Sequence, residues 1–420
     1  MPLDTLIFDP SACGFPKPRV PLLPIGLDGL SLAAGSRWAP PDHFRHFSRG
    51  RYALREAYRL AGIGPGSALL APAYHCRTML DPALALGGDV RLYPLHRDLS
   101  PDLVALDTMA DQTLTPVKAL LATHFFGIPQ DISSLAAWCA RRGITLIEDG
   151  SHAFFCEHHR PAGIGDHGEF VVSSPYKFLP SPDGGLLYTR DAGRLKSLST
   201  RAPSLFNELR GMQFAWSRAA ERRHNQTALN TDRLDAEYAA IALLPAACGL
   251  DHRELAGTSP DYRPDHEGYS SLRLSRMLYR HPDIATIARR RRDLFRQWAT
   301  VTMNLPYCRP LYPELPVACI PYMFPLIIEN PEPHFIRLKQ LGVPIFRWDS
   351  IAVSGCATAS DYRLRLLQLP CHQSLTDRDM DWMIAAITKL GEEAASSGGG
   401  PATGGGVATA SGAETALSNR

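Results

Sequence analysis

The chain reads as an α/β protein: a mostly parallel, seven-stranded sheet between helices, followed by a smaller C-terminal α+β unit. Three observations predict this. Short apolar runs alternate with helical periodicity between residues 48 and 190. The runs are brief and predominantly apolar, as strands buried on both faces are. Beyond Pro321 the pattern becomes strand, helix, strand, helix.

The elements follow in order. Residues 1–44 are proline-rich and poorly periodic (FPKPRVPLLPIGL, WAPPDHF). Proline fixes φ and removes a donor, so this segment is expected as an extended arm. SRGRYALREAYRLAG predicts a helix, with Leu54, Ala57, Tyr58 and Ala61 on one face and Ser48 near its start. Ala68–Ala71, Asp89–Tyr93 and Val117–Thr123 read as strands, Ser133–Arg142 as a helix, and Ile144–Glu148, Phe170–Ser173 and Leu186–Thr189 as further strands. A large domain is expected over residues 45–265, with a variable helical insert at 191–265 that prolines interrupt. Residues 266–390 are expected to form linking helices (Ser271–Arg280, Ile284–Trp298) and a small domain. Its order is strand YMFPLII, helix PHFIRLKQLG, strand VPIFRW and helix DRDMDWMIAAITKL. Residues 391–420 are rich in Gly, Ala and Ser and predict a disordered tail, because they bury too little to offset ordering entropy.

Composition narrows the function classes. The 420 residues carry a formal net charge of +2, with 45% hydrophobic and 20% charged residues. That balance argues against a nucleic-acid partner or a membrane surface, both of which favour a basic excess. No apolar run approaches the ~18 residues of a membrane span. The N-terminus lacks a basic then apolar signal pattern. Nine cysteines without a CxxC pair suit the reduced cytoplasm.

Three features could carry chemistry. Ser48-Arg49-Gly50-Arg51 opens a helix, where free N–H groups and the dipole favour an anion and Gly50 allows close approach; a capped surface helix with solvated arginines is the plain alternative. Glu148-Asp149-Gly150-Ser151-His152 follows a buried strand, and ligands of open α/β sheets bind at strand carboxyl ends. Asp149 could equally be a helix N-cap. Ser174-Pro175-Tyr176-Lys177 lies between a strand and the Gly184-Gly185 turn. A partly desolvated lysine can lose its proton and attack a carbonyl, although most lysines are solvated. Their order, with Lys177 placed 28 positions after Asp149, fits a pyridoxal phosphate enzyme. The phosphate needs a helix N-terminus, the pyridine nitrogen a carboxylate, and the aldehyde a lysine.

Four blocks sharpen this. APAYHCRTMLDPALALGGDVRLY, THFFGIPQDISSLAAWCARRGITLIEDGSHAF, SSPYKFLPSPDGGLLYTR and LLQLPCHQSLTDRDMDWMIAAI resemble the DegT/DnrJ/EryC1/StrS aminotransferases. Among that family's patterns are VPxYTFxAT, HxxGxPxDM…VIEDxAQA and LPxHxxLT. The resemblance spans roughly residues 45–190 and 268–390. It implies a fold-type I, pyridoxal 5'-phosphate-dependent transaminase, EC 2.6.1 in type, working as a homodimer with a shared active site. Its expected partners are an amino-acid donor, glutamate or glutamine, and a keto acceptor such as a nucleotide-linked sugar. Lys177 would be the Schiff-base lysine, Asp149 the partner of the pyridine nitrogen, and His152 the residue near the 3-hydroxyl. Gly50 and Arg51 occupy the phosphate positions. His124 opens the second block, where a purely structural role is as well supported.

Departures also matter. The family's ring-stacking aromatic falls at Cys76, so His75 or Tyr74 is expected to stack instead. The usual phosphate serine falls at Val172, and Ser174 would replace it, with Arg51 adding a direct ion pair. For the contact to a neighbouring subunit's phosphate, only Ser270 or Ser271 is on offer. Rival readings are a pyridoxal phosphate enzyme with a non-sugar substrate and a non-catalytic regulator that kept the fold. Cys156-Glu157-His158-His159 lacks a second cluster at zinc spacing, so no metal is expected. Cys371-His372 reads as packing or substrate-loop structure, Arg289–Arg292 as a solvated helix face, and Arg347-Trp348-Asp349 as structural or substrate-facing in equal measure.

Overall fold

A computed structural model describes residues 3–26, 28–31, 41–155, 159–225, 229–242, 251–255, 257–317 and 319–397. The strands in chain order are β1 (Leu3–Ile7), β2 (Phe44–Phe47), β3 (Ala68–Pro72), β4 (Asp89–Tyr93), β5 (Val117–Thr123), β6 (Thr145–Gly150), β7 (Phe170–Ser173), β8 (Gly185–Thr189), β9 (Asp251–Leu255), β10 (Cys308–Pro310), β11 (Met323–Ile328), β12 (Ser350–Ala352) and β13 (Leu366–Pro370).

Seven of them form the expected sheet, in the order β2-β8-β7-β6-β5-β3-β4. The pairs from β4 through β7 are parallel, while β8 and β2 join antiparallel at one side. Alternating side chains serve two faces. Leu69, Leu121 and Ile147 pack with Tyr52, Leu54, Ala57 and Tyr58 of the helix Gly50–Leu60. Leu70, Leu120 and Leu146 pack on the other face with Leu135 and Trp138 of the helix Ser133–Arg142. Both faces are covered, which explains why these strands are apolar without alternation. The parallel register brings Thr123, Asp149 and Val172 level at the carboxyl rim.

The C-terminal part is built on the antiparallel sheet β10-β11-β13, packed against Phe295 and Trp298 of the helix Ile284–Thr302 and Trp382 and Ile387 of the helix Asp377–Ser397. A third sheet, β12-β1-β9, pairs β1 with strands from far along the chain. Within the segment expected as an arm, residues 3–7 are thus the central strand of a sheet, and Phe8 lies in the C-terminal core.

Some expectations change. VPIFRW is not a strand: Pro344 has no N–H, Ile345 N–H bonds back to the Val343 carbonyl, and only Phe346 bridges to Gln368. The insert contains the helices Leu205–Asn225 and Leu234–Ala242 and the strand β9. The last helix runs to Ser397, and residues 398–420 of the expected tail lie outside the described residues. Cys13 is disulfide-bonded, which departs from a wholly reduced reading of the cysteines. No helix among the described residues is long and apolar enough to cross a membrane.

Candidate active site

The helix Gly50–Leu60 starts at the sheet rim. Its N-cap, Arg49, makes no side-chain cap, and no acidic residue stands in the first turn, so the helix end keeps its positive character. The Gly184-Gly185 turn holds it in place. Gly184 N–H bonds to the Ser48 carbonyl at 2.9 Å, and a Cβ on Gly185 would lie 2.4 Å from the Arg49 carbonyl. Only glycine permits that backbone contact. On the same cradle, a Cβ on Gly50 would stand 2.4 Å from Ser174 Oγ and 3.4 Å from Ser151 Oγ. The hydroxyls of Ser48 and Ser151 are buried without a hydrogen-bond partner among the described residues. Unsatisfied buried hydroxyls beside an uncapped helix start fit an anionic group such as a phosphate. Arg49 lies over the Tyr176 ring at 4.8 Å. Arg51 differs from expectation: its guanidinium donates to the Asp261 carbonyl, which holds it by its own chain.

Lys177 ends a short 3-10 turn, Pro175–Lys177, after β7. Its Nζ stands 5.3 Å from the centroid of the Tyr322 ring. Arg291, fully buried on the helix Ile284–Thr302, holds the turn. Its guanidinium donates to the Lys177 carbonyl at 3.3 Å, to the Pro321 and Tyr322 carbonyls at 3.0 and 3.1 Å, and to Gln373 at 2.9 Å. Burial pulls its pKa down to about 10. This run is therefore not a solvated face: Arg290 also binds the Leu375 carbonyl and Asp377, and Arg292 the Cys319 carbonyl.

Asp149 is buried at the end of β6. Its Oδ1 accepts from Ser151 N–H at 2.9 Å and its Oδ2 from His75 Nε2 at 3.0 Å. Burial alone would raise its pKa, but His75, Ser151 and the Lys177 charge outweigh it and hold the carboxyl well below its usual range. Burial likewise opposes protonation of His75, yet the bond to Asp149 and the neighbouring Cys76 lift it to about 9. His152 goes the other way. Burial, with the Lys177 charge adding, keeps it well below the ordinary value. Its Nδ1 accepts from Phe126 N–H at 3.3 Å, which leaves Nε2 as the donating nitrogen. Tyr322 packs on the His152 ring at 4.7 Å. Tyr74, the other stacking candidate, is turned into the core against Trp348, Phe125 and Tyr362. Cys76 is half-buried; burial opposes ionisation of its thiol, but His75, Thr78 and Lys177 together lower its pKa.

The remaining candidates meet groups of the chain itself. His124 Nε2 meets Glu148 Oε2 at 3.0 Å and its Nδ1 accepts from Gln130 N–H at 3.1 Å. Glu148 also gathers the N–H groups of Gly165, His167 and Gly168. Ser271 Oγ donates to the Phe47 carbonyl, and Ser270 N–H to that of Arg201. Arg347 is gripped between the rings of Phe8 and Phe335, and His372 meets the Pro21 carbonyl. Residues 156–158 of the Cys/His cluster lie outside the described residues.

The sequence missed Ser151, Tyr322 and Arg291. A signal existed for the first: it stands where the VIEDxAQA pattern carries alanine. Tyr322 and Arg291 reach the site only through the tertiary fold.

Residues 42–242 match the model of the DegT/DnrJ/EryC1/StrS aminotransferase family. The match covers just under half of the chain, which is similar to that family over those residues. The protein is a transaminase, and its cofactor is pyridoxal phosphate. Solved structures share the fold. An aminotransferase, TlmJ, from Streptoalloteichus hindustanus is 18% identical with a TM-score of 0.56, covering 85% of this chain and 88% of its own. Helicobacter pylori PseC, an aminotransferase of pseudoaminic acid biosynthesis, is 14% identical with a TM-score of 0.56 over 84% and 87%. NtdA of Bacillus subtilis, solved with PMP, is 13% identical with a TM-score of 0.53 over 83% and 73%.

Proposed function

We propose that this aminotransferase moves an amino group from glutamate or glutamine to the carbonyl of a nucleotide-linked keto sugar, in a homodimer with a shared active site. The observation that carries the site assignment is the meeting, at one sheet rim, of Lys177, Asp149 and an uncapped helix start with two unsatisfied hydroxyls. When bound, pyridoxal phosphate supplies an aldehyde to capture amines and a ring that draws electrons from the adjoining carbon.

The chain's own groups divide the remaining work. Gly50, Ser174, Ser151 and the first turn of the helix Gly50–Leu60 would hold the phosphate. Asp149, kept ionised by His75 and Ser151, would sit against the ring nitrogen and favour its protonated form. His152 would offer Nε2–H to the ring hydroxyl. Lys177 would hold the aldehyde and, once displaced, carry the proton between the two carbons of the transfer. Tyr322 and Trp348 stand around His152 and would limit water there.

The sugar-type acceptor is supported by the family and by the PseC likeness in fold. The homodimer is supported by the helix Leu205–Asn225, on which Leu205, Leu209, Met212 and Trp216 form one exposed stripe. The test is direct. Purified protein given pyridoxal phosphate should turn yellow, and Lys177→Ala should lose that visible band. Glutamate or glutamine should bleach it, and a keto sugar nucleotide should restore it. A protein that stays colourless, or a band that survives Lys177→Ala, would sink the assignment.

A further inference from the structure

The strongest unassigned contact on the rim is the one between Asp149 and His75. An ionised carboxylate offers about four lone-pair positions. His75 Nε2 and Ser151 N–H fill two of them, so a further donor still fits. The imidazole is itself fixed. It lies parallel to Trp348 within 7°, with centroids 5.6 Å apart, and Phe125 stands 6.3 Å away. Trp348 packs on Tyr74 at 4.5 Å. Its segment is tied to β13 by two bonds, Phe346 N–H to the Gln368 carbonyl and Gln368 N–H to the Phe346 carbonyl. The C-terminal part of the chain therefore clamps a ring that touches the carboxylate.

We infer that His75, held by Trp348, is a positioning residue for Asp149 that fixes the carboxylate and competes for it with the cofactor's ring nitrogen. This rests on the assignment of Asp149 to that nitrogen. The groups facing the pair are Cys76 from its own loop, His152 beyond β6, Lys177 from the turn after β7 and Tyr58 from the helix Gly50–Leu60. Asp149 is the carboxylate in that set. Two cations on one carboxylate compete for it, so the imidazolium tempers the hold of Asp149 on a protonated ring. The VPxYTFxAT pattern carries threonine where this chain has His75, so the second charge belongs to this chain's own version of the site.

Two measurements test it. In cofactor-free protein, the imidazole signal of His75 in the NMR spectrum should titrate near pH 9, and Asp149→Asn should bring it below the ordinary value. In protein loaded with 15N-labelled pyridoxal phosphate, the ring-nitrogen shift reports its protonation directly. His75→Asn keeps an N–H donor but removes the charge, and should raise the protonation midpoint by about one pH unit or more. Trp348→Leu, which leaves the Asp149 bond in place, should raise it by less. A midpoint unmoved in His75→Asn, or a His75 that titrates at the ordinary value, would overturn the inference. Wild-type protein that binds no pyridoxal phosphate would defeat the functional assignment as well, whereas binding with an unmoved midpoint defeats only the role of His75.

Discussion

At Lys177 a flexible cation is held close to a ring by a turn that has little freedom of its own. Lys177→Ala should lower transamination by about a thousandfold or more while leaving the fold intact; turnover together with a melting curve separates the two. Glu148 carries a different consequence. Burial would raise its pKa, but His124 and three backbone N–H groups hold it at about 2 against the usual 4.5. A carboxylate depressed in the folded state stabilises above its unfolded value and loses that contribution as pH falls. Stability on the order of 3 kcal/mol should therefore disappear between about pH 4.5 and 2. Glu148→Gln should melt lower than the parent at pH 7, with the gap closing in acid. A constant gap across that range would refute the account.

Among the elements, the backbone crossings decide the geometry of the site. A Cβ on Gly185 meets Arg49 and Gly50 backbone at 2.4–2.6 Å, with nothing flexible to give way. Gly185→Ala should cost about 2 kcal/mol or more and weaken pyridoxal phosphate binding, measured by equilibrium dialysis. Arg291→Met removes the donor shared by the Lys177, Pro321 and Tyr322 carbonyls and should cost about 1–3 kcal/mol, read from denaturant melts. These elements also show what a sequence can convey. The strands β3 to β8 were legible because strands buried on both faces are short apolar runs, and Lys177, Asp149 and Gly50 were legible because their order along the chain mirrors the order of the parts they would hold. β1 and β2 were not, since LDTLI and FRHF mix polar and apolar residues and owe their pairing to distant strands. Arg291 looked solvated in a basic run, because its carbonyl acceptors come from other segments. No spacing rule predicts that His75 meets a carboxylate 74 positions away.

For the whole molecule, the exposed stripe of the helix Leu205–Asn225 is where the proposed homodimer would meet. The inner side of that helix is settled: Gly211 packs on Leu272 and Pro182, close to the lysine turn. Leu209→Glu combined with Trp216→Glu should therefore convert a dimer to monomers in sedimentation velocity and reduce turnover with it. A dimer that persists would place the interface elsewhere. β1 has a consequence of another kind, in the order in which the ribosome delivers the parts. The seven-stranded sheet needs nothing beyond Thr189, so it can form while synthesis continues. β1 must wait for β9 and then β12, which begins at Ser350. At roughly 5–20 residues per second that wait is about 17–70 s, during which the strand made first lacks a partner on at least one edge.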